Sequence, residues 1–128
     1  MIQISDVRVS DRVLVNFEGQ LIEGTVLEVN HEDRQVCVLT HEQQEFWYSV
    51  EDLFPITLNE AELVRLKFHQ EDPENGSTIY VRGPFKVEFH GQDKLALVYR
   101  DERREIQGPI TVHQLQNHYE SMTKVHLE

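Results

Sequence analysis

The 128 residues suffice for one domain or two very small units, and 39% hydrophobic with 27% charged residues argues against overall disorder. Net charge is −11 and uneven: residues 1–56 hold three basic groups (Arg8, Arg12, Arg34) against eleven acidic ones, a net −8, while residues 57–128 hold nine against twelve, a net −3. The first half is thus ill-equipped to neutralise phosphates, and the lone Cys37 excludes an intrachain disulfide and a Cys-based structural zinc site. With no apolar core of signal-peptide length and no run near the roughly 20 apolar residues of a membrane span, the expected location is cytoplasmic and no membrane contact is expected.

In chain order, Arg12–Phe17 sets Val13, Val15 and Phe17 against Leu14 and Asn16, the period of a strand. Glu18-Gly19-Gln20 predicts a turn, and Leu21–Val29 a second strand whose Gly24 predicts a bulge or sharp bend. After the polar loop Asn30–Arg34, strands are predicted at Gln35–Thr40 and Glu45–Val50, the latter placing Phe46, Tyr48 and Val50 opposite Trp47. Four such strands with turns about every ten residues suit a small antiparallel barrel. Val50–Ile56 reads as one helical turn followed by an extended exit. Through Asp11–Phe17, Gly24-Thr25-Val26 and Val50-Glu51-Asp52-Leu53, residues 1–56 resemble SH3-like barrels of the Tudor and related kinds.

From Thr57 the pattern becomes helical. Thr57 with Glu60, or Asn59 with Glu62, would form a capping box for a helix fading near Phe68. His69–Thr78, with Pro73 and Asn75-Gly76, reads as a polar loop. Three strands are predicted next: Ile79–His90, interrupted at Gly83-Pro84, then Lys94–Arg100 and Arg103–Gln107. Thr111 caps a closing helix to about Lys124, with Val112, Leu115, Tyr119 and Met122 at helical spacing. The expected fold is α+β and β-rich: an SH3-like barrel over 1–56, then an αβββα unit over 57–128 packed against it.

The closing helix carries a second resemblance. Val112-His113-Gln114-Leu115-Gln116-Asn117-His118-Tyr119, with Pro55-Ile56-Thr57-Leu58, Lys67-Phe68 and the opening Asp6-Val7-Arg8-Val9-Ser10-Asp11, is similar to a family of small uncharacterised proteins. Phages, prophages and mobile elements of Bacteroidota encode them. The chain departs from that pattern at His118, where an apolar residue is expected, and after Thr123, where a Gly is expected. The resemblance implies a setting and a fold, not a reaction.

Four groups of residues are candidates for function. His113, Gln114, Gln116 and Asn117 are the densest polar cluster on a predicted helix, either reading a partner's hydrogen-bonding groups, or satisfying backbone groups at the sheet edge or near the helix start, or simply solvated. Trp47 and Tyr48, with Phe46, Phe17 and Phe54, would line a cation-holding aromatic pocket or pack as core. Tyr80, Arg82, Tyr99 and Arg100, with His113 and Asn117, would line a small-molecule crevice for a nucleotide signal. Finally, Lys86, Lys94, Arg100, Arg103 and Arg104 could touch single-stranded nucleic acid, with Tyr80, Phe85 and Tyr99 stacking on its bases, but Asp101, Glu102 and Glu105 cancel most of their field.

His31, Glu32 and Asp33, and likewise His41 and Glu42, are explained by loop composition rather than by a metal. No nucleophile motif or phosphate-cradling loop is present. The expectation is therefore a non-enzymatic accessory protein of a phage or mobile element. It needs no cofactor and binds an unidentified host or element-encoded protein, with nucleic acid an unlikely partner.

Overall fold

Period-two alternation carries the first 54 residues into an antiparallel meander. In the computed structural model, which describes residues 2–40, 43–71, 78–91 and 93–127, the strands are β1 (Arg12–Phe17), β2 (Gln20–Asn30), β3 (Gln35–Thr40), β4 (Glu45–Ser49) and β5 (Leu53–Phe54). They form one sheet in the order β4-β3-β2-β1-β5. A 3-10 turn at Val50–Asp52 precedes β5, so the predicted extended exit is a short strand against β1, pairing Leu14 with Phe54 and Val15 with Leu53. Val13, Val15, Val26, Val36, Val38, Tyr48, Val50 and Leu53 fill the interior with Ile2 and Val7.

Two details differ from the sequence reading. The bulge in β2 lies between Val26 and Glu28, not at Gly24. Gly24 is required for another reason: a Cβ there would meet the Val38 side chain and lie 2.9 Å from the Leu39 carbonyl oxygen. It allows β2 and β3 to approach closely.

In the second part, α1 (Glu60–Arg65) starts at Asn59, whose side-chain oxygen accepts the Glu62 N–H at 2.9 Å. Of the two possible caps, this one forms. The helix ends sooner than predicted, because Lys67 turns left-handed (φ 70°) and the Phe68 N–H bonds to the Leu63 carbonyl at 2.9 Å, with Lys67 N–H on Val64. That is a Schellman ending, with Leu63 and Phe68 both buried.

The expected αβββα unit is corrected to a helix, five strands and a helix: β6 (His69–Glu71), β7 (Thr78–Arg82), β8 (Phe85–Phe89), β9 (Lys94–Tyr99), β10 (Glu102–Gln107) and α2 (Val112–Thr123). The sheet runs β10-β9-β8-β7-β6, all antiparallel. The predicted strand 79–90 is a hairpin. Gly83 at φ 58° and the fixed φ of Pro84 make a two-residue turn that folds Phe85 back onto Arg82. The start of the predicted loop 69–78 is strand β6, which the alternation rule cannot find because all three residues are exposed. The Pro73 and Asn75-Gly76 turn signals lie outside the described residues.

The chain divides into two compact units: 2–57 with Thr111–Asn117, and Leu58–Ile110 with His118–Leu127. In the closing helix Val112, Leu115 and Met122 are buried, the first two in the segment that belongs to the first unit and Met122 in the segment of the second. Each unit is thus an open antiparallel sheet with part of a C-terminal helix, an α+β, β-rich architecture. No described helix is long and apolar enough to cross a membrane.

Candidate functional site

A concavity in the first unit lies where the β1–β2 hairpin and the start of β4 come together. It has a volume of about 410 Å³ and is lined by Phe17, Glu18, Gln20, Ile22, Thr40, Gln44, Phe46 and Tyr48, within the size range of ligand clefts. Phe17 and Phe46 are 38% and 44% exposed, with ring centroids 5.9 Å apart and planes 23° from parallel. Tyr48 is buried at the base, edge-on to Phe46 at 6.5 Å.

Burial pushes the Tyr48 hydroxyl's pKa up, and that buried hydroxyl has no hydrogen-bond partner among the described residues. Such a group costs about 1–3 kcal/mol, a cost phenylalanine would not carry. Glu18 is unusual in a different way. The hairpin loop is the pair Glu18-Gly19, both left-handed (φ 52° and 84°), with Asn16 accepting the Gly19 N–H at 3.1 Å. A type I′ loop of this kind favours Asn, Asp or Gly at its first position. Here a glutamate occupies it, beside exposed aromatic rings.

The strand pleat divides the predicted aromatic cluster. Phe46 and Tyr48 face the cleft, whereas Trp47, 46% exposed, points from the other face of β4 and pairs across the strands with Cys37. Phe54 does not line the cleft. Cys37 is buried, and burial with the nearby Glu45 and Glu28 pushes its pKa up, away from the reactive thiolate.

The polar helix residues are largely engaged within the chain. Gln114 accepts the Thr111 N–H at 2.9 Å, half of a capping box, and the Thr111 hydroxyl lies 3.1 Å from His113 Nδ1. Gln116 accepts the Arg12 N–H at 2.9 Å and reaches the Ser10 carbonyl, while Asn117 donates to the Asp6 carbonyl at 2.7 Å.

In the second unit, Tyr80, Arg82 and Tyr99 share one face of the sheet through the registers Tyr80↔Val87↔Leu97 and Arg82↔Phe85↔Tyr99. Tyr80 is buried against Phe89, and Arg82 lies over Tyr119 and donates to the Leu66 carbonyl. Arg100 stacks over Tyr99 at the β9–β10 turn, where its own φ is 54°. The basic residues of β10 are balanced locally. Arg103 bridges Glu88 and Glu105, and Arg104 bridges Glu102 while donating to Ser121 and sitting 3.1 Å from His118 Nδ1. His31, Glu32 and Asp33 join no group of three or more metal-ligating side chains among the described residues, and His41 with Glu42 lies outside those residues.

Comparison with family models, curated proteins and solved structures gives no match.

Glu18 and Gln44 escaped the sequence reading because a turn glutamate and a loop glutamine carry no period, and only the folded hairpin brings them beside Phe46. A pH effect follows from the helix. Burial lowers the pKa of His113 and, joined by the Arg104 charge, that of His118. Both are thus neutral in the fold at pH values where an unfolded histidine, near 6.5, takes a proton. Stability is expected to be flat above that pH and to fall as pH drops below it, by up to about 1.4 kcal/mol per pH unit for His113. Urea titrations between pH 7.5 and 5 check this, and His113→Gln should flatten the slope.

Proposed function

We propose that this chain is a non-enzymatic binding protein whose first unit is an SH3-like barrel, and that the barrel holds a cationic group of a protein partner in the Phe17–Phe46–Tyr48 cleft. One observation carries the reading: two stacked phenylalanine rings stay exposed at the mouth of a cleft in a segment of net charge −8. Exposed large rings cost hydration unless a partner covers them, and the face of an aromatic ring attracts cations. The left-handed Glu18 supports it too, since strained backbone is retained where the side chain is needed in place.

Support for the barrel comes from the strand order β4-β3-β2-β1-β5, with a 3-10 turn returning the chain to β1. Support for a phage or mobile-element setting, with a host or element-encoded partner, is the Val112–Tyr119 motif. The balanced charges on β10 favour a protein partner over nucleic acid.

Capture of partners from host lysate at near-physiological salt tests the reading. Phe46→Ala is expected to lower recovery of a specific partner about tenfold or more, as loss of an aromatic anchor does. Trp47→Ala, on the opposite face, should retain it. Equal recovery with Phe46→Ala, or no partner above background, would sink the reading.

A further inference from the structure

We infer that the group taken by this cleft is a guanidinium, so that the partner presents an arginine and not a quaternary ammonium; this deepens the cation-binding reading above and rests on it. A quaternary ammonium is best held by several ring faces arranged around it. Phe17 and Phe46 are not arranged that way: at 5.9 Å and 23° they stack on each other and leave no gap between them for a cation. Tyr48, the third ring, is buried and perpendicular to Phe46 (84°), so it does not add a third exposed wall. What remains is a ring face on the wall of the cleft, flat and apolar, rather than a cage.

A flat surface suits a flat cation. Guanidinium stacks on aromatic faces while its five N–H donors point outward in its own plane. The remaining lining residues suit those donors, since Glu18, Gln20, Thr40 and Gln44 all carry side-chain acceptor oxygens. The Glu18 carboxylate can accept two parallel N–H bonds, a geometry that arginine offers and a lysine ammonium does not. A quaternary ammonium has no N–H and would leave all four acceptors unused. Among the described residues, no Lys or Arg lines the cleft to compete for Glu18.

The test uses three probes on the full chain: N-acetyl-arginine methylamide, N-acetyl-lysine methylamide and tetramethylammonium chloride. Each is titrated while the backbone amide resonances of Phe17–Gln20 and Gln44–Tyr48 are followed by NMR. The arginine probe is expected to shift these resonances saturably and to bind about threefold to tenfold more tightly than either other cation. Glu18→Gln should remove most of that preference, and Phe46→Ala should abolish binding, with the remaining amide spectrum showing that each variant is folded. Equal or tighter binding of tetramethylammonium would overturn the guanidinium assignment while leaving a cation site. No saturable shift with any of the three cations would overturn both.

Discussion

Replacing Phe85 by alanine is expected to lower the stability of the second unit by about 3–5 kcal/mol, the usual range for truncating a fully buried phenylalanine. Phe85 has no exposed surface and is the largest fully buried side chain in the chain as described. Its ring meets Tyr119 at 4.7 Å, Phe68 at 6.1 Å and Tyr99 at 6.4 Å, and aromatic pairs of this kind contribute about 0.5–1.5 kcal/mol each beyond burial. These partners come from α2, from the segment after α1 and from β9, so one truncation loosens three elements together. Small domains have only about 5–15 kcal/mol in total, and units near 60 residues sit at the marginal end. Hydrogen exchange at the Val87 amide, in the same strand, and at the Leu97 amide, in the neighbouring strand β9, checks the result. A loss of protection below about 1 kcal/mol would show that Phe85 is not the centre of this interior.

That centre was only half visible in the sequence. Alternation picks out Phe85, Val87 and Phe89 on one side of a strand, but nothing in the residues themselves shows that Gly83-Pro84 reverses the chain rather than interrupting it. The outcome depends on a left-handed Gly83, a backbone choice decided by pairing with the neighbouring strand. Trp47 shows the opposite limit. Period two correctly separates it from Phe46 and Tyr48, yet the pattern cannot tell which face meets solvent, and here Phe46 is exposed as well as Trp47. Strand β6 is beyond pattern reading, because an edge strand with all its side chains in water has no alternation to detect. The cleft has the same difficulty. Its apolar members lie in strands and carry a period, whereas Glu18 and Gln44 lie in connections and acquire meaning only through the hairpin register that pairs Phe17 with Gln20.

Gln116 carries the second large expected effect and separates two meanings of the polar helix. The pairing of β5 with β1 covers only Leu14 and Val15, leaving the beginning of β1 without a neighbouring strand on that side among the described residues. The Asp11 carbonyl points to β2, where it accepts the Val26 N–H, so the Arg12 N–H in the same peptide group points away from β2. Gln116, 1% exposed, supplies the acceptor at 2.9 Å and turns its amide nitrogen to the Ser10 carbonyl. A glutamine thus continues the edge of a sheet across 104 residues of sequence. Gln116→Ala would strand the Arg12 donor and open space beside it, for an expected loss of about 2–3 kcal/mol. Gln114→Ala removes only an exposed capping contact and should cost about 1 kcal/mol or less. Urea unfolding followed by the fluorescence of Trp47, the only tryptophan, measures both in the unit to which they belong. The expected order, Gln116 well above Gln114 in stability with partner capture unchanged in the folded fraction, marks the amides as fasteners between helix and strand. Unchanged stability combined with lost capture would instead make this helix face the partner-reading surface and leave the aromatic cleft without its role.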